Sequence, residues 1–158
     1  MSRYTGHHSS SAALADDTAF GWLMGVTTGA GKLRRVILGV RHTTAATAVT
    51  DFQTKVGIAR TTADGTTITA GTIGKLDVRD PAASLRYATA WATPPTIGAE
   101  ATDLLGIPFN TKSGVDIPAE FLEEFWIDNV VTDGFAFVNR GGALPASYVY
   151  DLSFEFEE

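Results

Sequence analysis

The chain of 158 residues has no cysteine, which excludes disulfides and thiolate chemistry and leaves packing or assembly as the sources of stability. Histidine is scarce. His7 and His8 are adjacent in a polar stretch and His42 ends a strand candidate, whereas a zinc site needs three or four ligands around one point. No metal and no cofactor are expected. Basic residues are the minority, 12 against 18 acidic, and the formal charge of −6 opposes nonspecific attraction to phosphate backbones. Direct nucleic-acid binding is not expected. No apolar run is long enough to span a bilayer, and Met1 to Asp17 lacks the apolar centre of a signal peptide. Synthesis in the cytoplasm, with no membrane partner, is the expectation.

What the chain does have is strand chemistry. It is 44% hydrophobic with 16 glycines and abundant threonine and alanine, a balance that favours short strands joined by turns. The clearest signal is Ser147 to Glu158, where Tyr148, Tyr150, Leu152, Phe154 and Phe156 alternate with Val149, Asp151, Ser153, Glu155 and Glu157. This two-residue period predicts a closing strand with one aromatic face that other elements must cover.

Further strand candidates run through the chain. They are Ala19 to Thr28, Leu33 to Thr44, Val49 to Thr61, Thr66 to Leu76, Leu85 to Trp91, Leu104 to Phe109 and Phe135 to Asn139. Asp64-Gly65 reads as a hairpin-type turn, and Thr93-Pro94-Pro95-Thr96 breaks the chain. The segment AEFLEEFWID, residues 119–128, fits either a strand or a short helical turn. About eight short strands predict an all-β, single-domain, jelly-roll-like β-sandwich over residues 19–158. Residues 1–18 are small and polar, and the expectation for them is an extended N-terminal arm held by neighbouring subunits. Arg3, Tyr4, His7, His8 and Leu14 are its candidate partner-binding residues.

The chemistry-bearing motifs are thin. Thr28-Gly29-Ala30-Gly31-Lys32 imitates a phosphate loop, but Leu33 stands where the magnesium-binding hydroxyl belongs and Val26 where the first glycine belongs. A turn is the better reading. Asp16-Asp17 reads as a solvated or capping pair, because no alternating oxygen ligands follow. Glu120, Glu123 and Glu124 beside Phe121, Phe125 and Trp126 contain the residue types of a glycosidase cleft. Three glutamates within five residues read more simply as a solvated rim. Trp22, Trp91 and Trp126 are weighed as sugar platforms against their commoner role in cores. No G-x-S-x-G elbow occurs. No catalytic residue is assigned, and the protein is not expected to be an enzyme.

The strand series containing KLDVRDPAAS (Lys75 to Ser84) and ATAWATPP (Ala88 to Pro95), and closing on EFEE (Glu155 to Glu158), resembles small β-sandwich virion proteins of tailed bacteriophages. Within that group it is most similar to capsid decoration, or cement, proteins. The resemblance covers Phe20 to Glu158. It implies a jelly-roll-like fold, homotrimers, the major capsid protein as partner, a place on the capsid surface of the virion after synthesis in the host cytoplasm, and no enzymatic activity. A carbohydrate- or receptor-binding module of a head or tail fibre is the alternative. Another non-enzymatic head or tail component stands third.

Overall fold

The alternating segments form strands, and the aromatic alternation at the C-terminus becomes the axis on which they assemble. The structure, a computed structural model, describes residues 1–158 apart from Ala45, Ala119, Phe121, Glu123 and Glu124. In chain order its strands are β1 (Arg3–Ser9), β2 (Ala19–Met24), β3 (Gly31–His42), β4 (Gln53–Ala63), β5 (Thr69–Ala70), β6 (Ile73–Lys75), β7 (Arg86–Ala90), β8 (Thr96–Ile97), β9 (Leu105–Asn110), β10 (Val115–Ile117), β11 (Trp126–Ile127), β12 (Gly134–Asn139) and β13 (Tyr148–Glu157). They make two antiparallel sheets. The first runs β10–β3–β13–β1–β6 with β11 also on β3, and the second runs β5–β7–β2–β12–β4–β8 with β9 also on β4.

Eight of these strands form a jelly roll. Strands β10–β3–β13–β1 lie in one sheet and β9–β4–β12–β2 in the other, so the chain changes sheets at each of its first three connections and the first strand pairs with the last. Residues 64–104 are inserted into this frame between β4 and β9. The insertion adds β6 to the free edge of β1, β7 to that of β2, β5 beyond β7, and β8 to β4.

Strand β13 organises the core. Its inward residues Tyr150, Leu152, Phe154 and Phe156 are buried, and the rings of Tyr150 and Phe154 meet the opposite sheet at four strands. Tyr150 stacks on Phe20 at 5.1 Å and approaches Phe109 at 6.3 Å. Phe154 meets Tyr87 edge-on at 4.7 Å and Phe137 at 5.6 Å. Each such side chain stabilises the fold by roughly 2–3 kcal/mol through removal from water. Gly6 faces Phe154 across the β1–β13 pair. A Cβ there would lie 2.5 Å from the Phe154 ring, so only glycine lets the ring lie across β1.

The expected arm is therefore a strand of the sandwich. Residues 3–9 pair with β13 along their whole length, and the following residues continue the association through bonds from Ser10 N to Tyr150 O at 2.9 Å and Ala13 N to Tyr148 O at 3.1 Å. Its polar outer face disguised it, because only Tyr4, Gly6 and His8 point inward. Asp64-Gly65 does not close a hairpin either, since the chain crosses from β4 to pair with β7.

The reason for that crossing is a second apolar layer. On the outer face of the second sheet, Trp22, Met24 and Ala88 cluster beneath Ile68 and Trp91, and Ala19, Ala59, Ala136 and Val138 beneath Trp91 and Ile97. All six residues of β2 and all six of β12 are consequently buried. Unbroken alternation along Leu85 to Trp91 would put Trp91 on the face of Tyr87. It instead joins the outer layer, because β7 ends at Ala90 and the chain turns over the sheet. Of AEFLEEFWID, Trp126–Ile127 form β11, and Ala119, Phe121, Glu123 and Glu124 lie outside the described residues.

Candidate functional site

Arg140 follows β12 in the turn Arg140-Gly141-Gly142, and the fold buries its side chain to 3% exposure. A buried guanidinium requires partners, and three residues supply them. Asp103 accepts from Nε at 3.0 Å and Nη2 at 2.8 Å, Gly98 O accepts from Nη2 at 3.0 Å, and Asp17 Oδ1 accepts from Nη1 at 2.7 Å. The hydrogen bonds it donates to Asp103 are the leading reason that the guanidinium holds its proton even more firmly than usual. Gly57 makes room for this pair, since a Cβ there would sit 2.0 Å from Asp103 Oδ2.

The two carboxylates have different surroundings. Asp103 is buried with Arg140, whereas the side chain of Asp17 is 69% exposed. Asp17 adopts φ 55, a left-handed conformation that aspartate tolerates, and its N–H donates to Asn139 O at 2.9 Å. Oδ1 is engaged from behind by Arg140, and Oδ2 accepts no hydrogen bond from the described residues. A carboxylate oxygen is thus fixed in place and open to solvent.

Trp91 stands beside it. The indole meets Trp22 edge-on at 6.5 Å and is half-buried. Its loop is clamped by bonds from Ala92 N to Thr66 O and from Thr66 N to Thr93 O, both 3.0 Å. Two hollows flank the ring. One, about 210 Å³, is lined by Asp17, Thr18, Trp91, Pro94, Pro95 and Ile97. The other, about 220 Å³, includes Ser10, Thr18, Phe20, Thr89 and Trp91.

A wider groove of about 540 Å³ crosses the outer face of the first sheet over Gly39 and Ser153. Its carboxylates are engaged by neighbours: Asp116 by Arg35 at 2.6 Å and Asp151 by Arg41 at 2.9 Å. The Arg35 guanidinium also draws Asp116 below the usual carboxylate range.

The five candidate partner-binding residues are separated by the pleat. Tyr4 and Leu14 lie in the core, Arg3 and His7 are exposed, and His8 points inward. His8 Nδ1 bonds the hydroxyl of Tyr87, while Nε2 is buried with no hydrogen bond of ordinary geometry among the described residues, the Phe20 backbone being its polar neighbour. Burial is the main reason that its pKa falls below the ordinary value of 6.5. His42 packs edge-on against Tyr148, away from both. Among the described residues no three His, Asp or Glu side chains converge to hold a metal ion, and no helix is long and apolar enough to cross a membrane.

Of the three tryptophans, Trp22 is buried, Trp126 is 46% exposed on β11 with Lys32 over its ring, and Trp91 lies on the other sheet. They form no common platform. Glu120 is exposed, and Glu123 and Glu124 lie outside the described residues. The sequence reading missed Asp103 and Arg140 and took Asp17 for a solvated or capping residue. The available signal was one arginine between an apolar strand and Gly-Gly.

Fold and site together define a class, an all-β jelly-roll sandwich whose long insertion carries Trp91 over the outer face of one sheet. Comparison with known proteins found no family model, no curated protein and no solved structure that matches the chain.

Proposed function

We propose that the protein is a non-enzymatic structural component of a bacteriophage virion that decorates and cements the capsid by bridging neighbouring capsid subunits. The supporting observation is the form taken by KLDVRDPAAS, one of the segments that carries the resemblance. Its turn presents Val78 at 88% exposure and Leu76 at 52%. Hydrogen bonds shape the turn. Arg79 bonds the Asp77 carboxylate through its backbone N–H at 2.9 Å and Nη2 at 2.6 Å, Asp80 N donates to Asp77 O at 3.1 Å, and Leu76 N donates to Arg3 O at 3.0 Å. An apolar contact already ordered in the free protein loses little conformational entropy when it docks. Repetition of such contacts over one shell, and within a homotrimer, multiplies their effect.

The major capsid protein is the proposed partner of this turn. The test is co-sedimentation with undecorated phage capsids, together with the mass in solution by light scattering. A trimer that pellets with shells is expected, and Val78→Asp should remain folded yet lose most of that association. A monomer that stays in the supernatant would overturn the reading.

A further inference from the structure

We propose that Trp91 and Asp17 form a binding site for a neutral saccharide. Sugar rings present an apolar C–H face and a rim of hydroxyl donors, so their sites combine an aromatic plane with fixed polar acceptors. Both elements line one hollow here. Trp91 supplies the plane, supported by Trp22 and by the Thr66–Thr93 bridge. Asp17 supplies the acceptor, with Oδ2 unoccupied by any described residue and Oδ1 anchored on buried Arg140.

The anchoring separates this site from an ordinary surface carboxylate. Arg140 is held on its far side by Asp103, so Asp17 is positioned before a ligand arrives. The two hollows share Thr18, Ala19 and Trp91, so they adjoin at the indole. Each hollow falls below the roughly 300 Å³ at which drug-sized sites begin, a scale that suits single rings. A net charge of −6 and the Asp17 carboxylate select against acidic sugars. The site is independent of any attachment to a shell.

The test uses the full chain labelled with ¹⁵N, in which the three tryptophans give three indole N–H signals. The probes are methyl glucoside, methyl galactoside, methyl mannoside, lactose, sialic acid and a proline-rich peptide. At least one neutral sugar should shift the Trp91 signal in a saturable way while Trp22 and Trp126 stay in place. Trp91→Phe assigns the signal. Asp17→Asn keeps the test decisive if that variant does not fold. It should weaken sugar binding by about tenfold or more with the unfolding midpoint retained, because a hydrogen bond to a charged acceptor is replaced by a neutral one. Absence of any response to the neutral sugars, undiminished binding by Asp17→Asn, preference for sialic acid, or response to the peptide alone would each overturn the assignment.

Discussion

The hydroxyl of Tyr150 donates to Oδ1 of Asn139 at 2.8 Å, joining the two sheets through a buried polar bond. Thr54 completes it by donating to Tyr150 at 2.5 Å. The Asn139 amide nitrogen meets Leu14 O, Ala15 O and Gly142 O at 3.2, 3.0 and 2.7 Å. One asparagine thereby fastens the chain after β1 to the turn between β12 and β13. Burial is the main cause raising the Tyr150 pKa, so the phenol remains a donor throughout the neutral range.

Asn139→Ala should therefore destabilise the protein by roughly 3 kcal/mol, since it leaves several buried groups without partners. Tyr150→Phe should cost less, about 1–2 kcal/mol, because it removes one donor from the same network. Urea unfolding of both variants checks the order. Equal costs would show that Asn139 does not anchor residues 14 and 15.

Removal of residues 1–9 should abolish cooperative unfolding. It takes away Tyr4, whose ring stacks on Phe156 at 5.2 Å, exposes the edge of β13, and breaks the paired backbone bonds between Ser2 and Glu158. Circular dichroism melts of the truncated chain read the outcome. A sharp melt at the parent temperature would restore the idea of a dispensable arm.

Phe154→Asp should not fold, because the carboxylate would enter the aromatic core without a partner. Gly6→Ala tests the same contact more gently. It should cost about 1–3 kcal/mol through overpacking against the Phe154 ring. Thermal denaturation measures the second effect, and unchanged stability would mean that the ring does not lie over β1.

Acidification should weaken the fold through His8. Its folded pKa lies below 6.5, so the native state binds fewer protons than the unfolded chain. The associated stability is complete above 6.5 and is lost as pH falls from 6.5 through the lower folded value. The slope is at most about 1.4 kcal/mol per pH unit. Groups near the imidazole are Tyr87, which bonds it, the Phe20 backbone, which favours its charged form, and Asp151 and His7, whose charges act on it in opposite senses. Denaturant midpoints measured across this range should lose that slope in His8→Gln. A parent protein with no decline below 6.5 would contradict the burial of a neutral imidazole.

The all-β class and the closing strand were legible because β3 over residues 36–41 and β13 over residues 150–156 alternate between buried and less buried positions. That period is local chemistry, and along β3 it puts buried Val36, Leu38 and Val40 on one face and Arg35, Ile37 and Arg41 on the other. Strand β1 was hidden because its inward residues include a glycine and a histidine, which mark an apolar face only once Phe154 and Tyr87 stand opposite them. Asp17, Asp103 and Arg140 are far apart in sequence, and their acid and base types are common on any surface. Only the meeting of the residues before β2, the insertion and the turn after β12 buries Arg140 and makes partners necessary. Composition and periodicity thus determined the all-β class and the faces of the alternating stretches of β3 and β13, since these depend on nearest neighbours along the chain. Tertiary structure decided which strands pair, what covers Trp22 and where an exposed carboxylate is fixed beside Trp91, since burial and charge pairing depend on segments that only folding brings together.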